Sequence, residues 1–162
     1  MIDFEQVPIR LDPKNDEAVN RLERYVEKGV EFKLARPPER SKARGRIMFF
    51  PHLTSGRKGL LNAMANEQQI SVQVRFPKSA RAVTIVFWAS TGASAKLEAF
   101  NSKGDVVAHD ELKVAPGRKK PEDAVPTFDL SVKADEISYV EFSGPRTGEY
   151  LVADEVRFVP LD

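Results

Sequence analysis

The stretch Ile70-Ser71-Val72-Gln73-Val74-Arg75-Phe76 decides the fold class. Ile70, Val72, Val74 and Phe76 alternate with Ser71, Gln73 and Arg75, the period of two that a half-buried strand requires. Downstream, residues 82–89 are apolar on both faces, as in a strand at the centre of a sheet. Pro77 and its neighbours to residue 80 predict a turn between these two strands. Residues 96–101 and 105–112 flank Ser102-Lys103-Gly104, a hairpin signal. Phe128, Leu130 and Val132 alternate again. Residues 139–142 and 151–159 read as the last two strands, with a turn around Gly144-Pro145 between them. Upstream, residues 30–34 alternate, and residues 46–50 and the stretch around Leu60-Leu61 flank a turn at Thr54-Ser55-Gly56. Short strands with turn signals at this spacing predict a sandwich of roughly eight to ten antiparallel strands.

Residues 15–28 predict the one helix. Asn15 suits an N-cap, and Asp16 and Glu17 suit the positive helix start. Ala18, Leu22, Tyr25 and Val26 fall at helical spacing, and Gly29 is a natural stop. Residues 36–46 read as a basic loop broken by Pro37-Pro38, and residues 115–126 as a second long basic loop containing prolines.

The chain has 162 residues, 41% hydrophobic and 30% charged. Such a length and composition predict one soluble globular domain over residues 1–162. A net charge of +1 gives no global field for nucleic acid or a membrane surface. No apolar run is long enough to span a bilayer. No secretory apolar segment opens the sequence, and Met1 stands directly before the first strand, as after a removed leader; a cytoplasmic protein would read the same way. With no cysteine there is no disulfide, no Cys-based zinc site and no Cys nucleophile.

Several stretches are similar to bacterial jelly-roll domains with a galactose-binding-like fold. They are residues 96–107, residues 137–144, Val152-Ala153-Asp154-Glu155-Val156-Arg157-Phe158, and the openings Ile2-Asp3-Phe4-Glu5 and Gly29-Val30-Glu31-Phe32. The resemblance covers most of the chain except residues 36–46. It implies a carbohydrate-binding, lectin-like module on a secreted or cell-surface protein, part of a longer multidomain chain. It also implies a structural calcium ion where the terminal strands meet. Glu155 stands where a second aspartate is common in such domains.

Asp154, Glu5 and Asp3 are the candidate metal ligands. By strict alternation Asp154 shares a face with Val152, Val156 and Phe158, an acid on a core-facing row, which needs a metal or another cation. Calcium is the expected ion; a salt bridge to Arg157 or Arg10, or exposure at a sheet edge, is the alternative. Trp88, the single tryptophan, and Tyr150 are candidate stacking residues for a sugar, with Arg146 beside them. For Trp88 the alternative is burial under the helix or a long loop. That is favoured because the helix must cover something.

From Lys33 to Lys58 eight bases stand against one acid, a local charge of +7, while residues 1–32 carry eight acids and five bases. An anionic ligand or a solvated loop would both account for the basic stretch; no aromatic interleaves residues 36–46, which weighs against nucleic acid. His52 and His109 lie in no nucleophile or metalloprotease motif, so no catalytic residue is assigned. The resulting expectation is an all-β antiparallel two-sheet jelly-roll sandwich with one short N-terminal helix. Its expected function is non-catalytic binding of a carbohydrate, including polysaccharide. The alternative is a structural or protein-interaction domain of an extracellular assembly.

Overall fold

A computed structural model describes residues 1–7, 21–39, 46–52, 55–65, 68–89, 92–144 and 146–162. The described residues are all-β and antiparallel, with no helix among them. The strands are β1 (Arg21–Leu22), β2 (Tyr25–Glu27), β3 (Val30–Leu34), β4 (Ile47–Pro51), β5 (Lys58–Asn62), β6 (Val72–Ala89), β7 (Ala95–Phe100), β8 (Val106–Leu112), β9 (Phe128–Ser143) and β10 (Leu151–Pro160).

Two of these strands build the sandwich. β6 and β9 are each long enough to belong to both layers. The first part of β6 pairs with β3 and with the last part of β9, which pairs in turn with β7 and through it β8. The second part of β6 pairs with β10 and with the first part of β9, while β10 leads through β5 and β4 to β1. One hydrogen-bonded network thus folds into a layer holding β2, β3, β7 and β8 and a layer holding β1, β4, β5 and β10. Register shifts on β6 between Arg75 and Ala80 and between Ala80 and Ala82 mark the crossing. Bulges are where strands are expected to pass between sheets.

The turn expected at residues 77–80 is therefore an irregular stretch inside β6. Proline is tolerated at such a break because no ladder bond is needed from its nitrogen. Likewise residues 128–132 and 139–142 are the two ends of one strand, β9.

The helix expected over residues 15–28 is corrected where the structure describes it: residues 21–22 and 25–27 are strands, and residues 15–20 lie outside the described residues. Glu27 pairs with Val30 across Lys28 and Gly29, whose φ values are +50° and +80°. Two consecutive positive φ angles make a two-residue hairpin turn whose twist matches the strands. Gly29 is needed for that turn rather than for a helix stop. The period of two from Tyr25 to Leu34 outweighed the helical spacing of Leu22, Tyr25 and Val26.

The inner faces of both layers bury one core. Val30, Phe32, Val74, Leu97, Val140 and Phe142 come from one layer, and Ile47, Leu60, Ile85, Phe87, Leu130 and Val156 from the other. Phe87 meets Phe142 across the layers at a ring separation of 5.2 Å. The pair is edge to face, as ring quadrupoles favour. Phe4, fully buried, packs on Phe32 and Phe49 and anchors the first segment. Ile2 and Val156 exchange backbone hydrogen bonds of 2.9 Å in both directions, so the first segment lies along β10.

Candidate functional site

The two outer faces differ in what they leave free. On the layer holding β7 and β8, Arg75, Tyr139 and Phe100 stand opposite one another on three neighbouring strands. Tyr139 and Phe100 stack at 4.7 Å with an interplanar angle of 5°, and the Arg75 guanidinium sits 4.7 Å from the Tyr139 ring centre. Both faces of Tyr139 are thus occupied, one by an aromatic ring and one by a cation. Beside this rib, burial holds the Glu141 carboxyl above the usual carboxylate range. Gln73 opposes that shift by donating a hydrogen bond at 3.2 Å. The charge of Glu98 adds to the shift.

On the other layer a second apolar cluster lies outside the sheet. Met48, Leu61, Trp88 and Val152 are the residues that alternate with core residues on β4, β5, β6 and β10, and Val125 from the long loop after β8 covers them. His52, following β4, fastens this loop. Its Nδ1 accepts the Ser55 backbone N–H at 3.0 Å, and its Nε2 lies 3.1 Å from the Val125 carbonyl oxygen. An accepting Nδ1 leaves the proton on Nε2, which then donates to that carbonyl. The imidazole and the Trp88 ring meet at 5.1 Å between centres and 74° between planes.

Beside that cover an open groove of about 440 Å³ runs over the outer face of β6, β9 and β10. Val86 and Val125 give it an apolar floor, and His52, Arg57, Asp129, Asp154, Glu155 and Arg157 bring the charged and polar groups. A β-bulge creates this constellation. Ala153 pairs with Phe87 and Glu155 with Val86, so Asp154 is the extra residue between them. The bulge overturns strict alternation on β10. Leu151, Ala153 and Val156 face the core and Phe158 packs on it, whereas Val152 and Asp154 stay on the outer side, so the row Val152, Asp154, Val156 and Phe158 that strict alternation predicts breaks beyond Asp154.

Ion pairs organise the groove. Arg57 Nη2 lies 3.3 Å from Asp154 Oδ2 and 3.6 Å from Glu155 Oε2, and Arg57 Nε lies 3.9 Å from Glu5 Oε1. Arg157 Nε donates to the other Glu155 oxygen, Oε1. The Asp154 side chain is only 3% exposed, and its Oδ1 has no hydrogen-bond partner among the described residues. Burial pushes the Asp154 carboxyl above the usual aspartate range; the Arg57 guanidinium opposes the shift, while Glu5 and Glu155 add to it.

The candidate residues from sequence fall as follows. Trp88 is 6% exposed and lies under His52, Phe50 and Val125, with its Nε1 unpartnered among the described residues. Tyr150 is half-buried against the same cluster. Arg146 is exposed and pairs with Glu149 at 3.0 Å. Asp154 and Glu5 do come together, but Asp3 turns elsewhere: its Oδ1 accepts the Glu5 backbone N–H at 3.4 Å. Arg40, Lys42 and Arg44 of the basic stretch lie outside the described residues. Sequence reasoning counted Arg57 only within the basic stretch and set His52 aside with His109, so it placed neither at this site. The signal for both was their position at the ends of a short hairpin loop, which alone does not say what the loop faces.

The described side chains at this junction do not fit calcium. That ion takes six to eight oxygens at close range. Among the described residues no group of three or more His, Asp or Glu side chains is placed to hold a metal. The group standing between Asp154, Glu155 and Glu5 is the Arg57 guanidinium, neither of the arginines named from the sequence.

Neither a protein-family profile nor a curated protein matches the chain. Solved structures do. The cleaved adhesin domain K1 of the Lys-gingipain from Porphyromonas gingivalis W83 is 9% identical, with 85% of this chain and 94% of that chain covered and a TM-score of 0.53. A family 61 carbohydrate-binding module solved in complex with β-1,4-galactotriose is 8% identical over 91% of this chain and 97% of that one, with a TM-score of 0.49. A family 6 module from Clostridium stercorarium in complex with cellobiose is 13% identical over 80% and 93%, with a TM-score of 0.42. What is shared at these identities is the fold alone, an antiparallel β-sandwich.

Proposed function

We propose that residues 1–162 form a single non-catalytic carbohydrate-binding domain whose glycan lies in the groove over Val86. The observation that supports this reading is the composition of the groove. Its size lies within the roughly 300–1,000 Å³ of small-molecule sites. It sets an apolar floor among alternating donors and acceptors. A sugar hydroxyl both donates and accepts, and its ring carbons present an apolar face. Arg157 and Arg57 donate, Asp129, Glu155 and the Thr127 hydroxyl accept, and Val86 and Val125 take the ring. The groove carboxylates read as binding groups rather than catalysts, because guanidinia already hold one oxygen of Asp154 and both of Glu155. In this reading Trp88 braces the groove wall through His52 instead of stacking on the ligand. Tyr150 and Arg146 do not line the groove. The proposed setting is an accessory module of a larger secreted or cell-surface protein.

A glycan-array screen followed by titration calorimetry on any hit tests the reading. Asp129→Asn and Arg157→Ala should each weaken binding at least about tenfold, a loss of about 1.4 kcal/mol. Lys96→Ala, on the opposite layer, should leave it unchanged. Binding that survives both groove substitutions would remove the groove as the site.

A second reading is favoured by one observation: Trp88, the one aromatic beside the groove with a flat indole face, lies buried against the His52 ring. It makes the chain a structural or protein-interaction domain of an extracellular assembly, and an array with no hits would decide for it.

A further inference from the structure

We infer that Arg57 is the resident cation of the junction where the first segment meets β10, in the place that the resemblance gives to calcium. Three carboxylates from two distant parts of the chain approach this one guanidinium: Glu5 at 3.9 Å, Asp154 at 3.3 Å and Glu155 at 3.6 Å. The bulge makes a proton or a cation necessary. It turns two consecutive acids toward the same side of β10, with side chains 3% and 10% exposed. Adjacent buried carboxylates must either take up a proton or sit beside a positive group, and here a guanidinium stands beside both. His52, Asp129 and Arg157 are the other titratable or charged groups lining this place. Arg157 reaches only Glu155, so among the described residues Arg57 alone spans all three.

The guanidinium suits the task geometrically. It offers five donors in a rigid plane and stays charged at every relevant pH. Its backbone is held across the β4–β5 turn, where the His52 N–H donates to the Arg57 carbonyl at 2.6 Å. Glu5 is fixed independently: its Oε1 accepts the Lys58 N–H at 3.2 Å and its carbonyl accepts Lys58 Nζ at 2.7 Å. The junction therefore ties the first segment, the β4–β5 turn and β10 together through a cation that is part of the chain. A covalently held cation has no mass-action dependence, whereas a bound ion stabilises in proportion to the logarithm of its concentration.

Thermal melts separate the alternatives. The wild type should melt at the same temperature in millimolar calcium and in excess chelator. A calcium-dependent rise of several degrees, reversed by chelator, would overturn the inference. A double-mutant cycle supplies the second readout. Arg57→Gln should lower Tm clearly in the wild type and by less than half as much in an Asp154→Asn background, because the neutral amide no longer needs the cation. Equal losses in both backgrounds would mean that Arg57 acts through packing alone, and the inference would fall. If Arg57→Gln does not fold, Arg57→Lys, which keeps the charge and loses the planar fork, enters the same cycle with a smaller loss and the same criterion.

Discussion

Replacing Trp88 with alanine tests the cover over the outer cluster, because this side chain is the centre of it. The ring packs among Met48, Leu61, Val125 and Val152, with Phe50 at 6.1 Å and His52 at 5.1 Å between ring centres. Removing a buried aromatic ring of this kind costs about 3–5 kcal/mol in lost burial and residual cavity. An opposing effect is present. Trp88 Nε1 is buried without a partner among the described residues. A buried unsatisfied donor carries a penalty of about 1–3 kcal/mol that alanine removes. The net loss expected for Trp88→Ala, taken from the midpoints of the two ranges, is about 2 kcal/mol. Trp88→Phe keeps most of the ring and removes the orphan donor, so it should cost no more than about 1.5 kcal/mol. The assay is denaturant unfolding by circular dichroism for the wild type and both variants. The single tryptophan adds an internal check: its emission in the native wild type should be blue-shifted and poorly quenched by acrylamide, and should move to that of water-exposed indole on unfolding. A loss below about 1 kcal/mol for Trp88→Ala, or native emission already resembling exposed indole, would show that the long loop does not close over Trp88. The groove would then lack the lining that His52 and Val125 give it.

Two further outcomes follow from packing and charge elsewhere. A Cβ on Gly59 would stand 2.5 Å from Val152 Cγ1 and 2.8 Å from the Ala153 carbonyl oxygen. Gly59→Ala should therefore destabilise by about 1–3 kcal/mol and raise amide exchange along the β5–β10 seam; a smaller effect with unchanged exchange would show that the seam opens freely. Glu141 has a carboxyl pKa raised by burial; a raised acid favours the folded state at low pH and loses that advantage as pH rises through the folded value. Glu141→Gln should raise Tm at neutral pH, with the gain fading as pH falls into the carboxylate range, and a gain independent of pH would contradict the charge-burial origin.

The alternation around Ile70 to Phe76, the Ser102-Lys103-Gly104 hairpin and the last strand were legible because they depend on neighbours in sequence. An apolar row at period two needs one buried face wherever it ends up. Read alone, the same information misjudged residues 21–28, where spacing fits both a helix and a hairpin. The deciding factor there is the partner: Tyr25 and Val26 find Phe32 and Glu31 across a two-residue turn. It also divided β6 and β9 into separate strands, since a proline or a charged stretch reads as a turn when the second layer that continues the strand is not in view.

The residues alone thus determined that this chain is an antiparallel all-β domain, that its last stretch is a strand carrying adjacent acids, and that no familiar catalytic motif is present; the strand read at residues 2–5 is a single bridge from Ile2 to Val156. Only the tertiary structure decided which side chains meet. A single extra residue at Asp154 reverses the facing of everything beyond it on β10, and a one-residue shift has no signature in a period of two. The partner of Asp154 and Glu5 is Arg57, far from both along the chain. It is contributed by a short turn whose aim depends on how β4 and β5 pack. The faces of Tyr139 and Trp88 are filled for the same reason: what covers an aromatic ring is set by strands and loops distant in sequence, through contacts that no local pattern encodes.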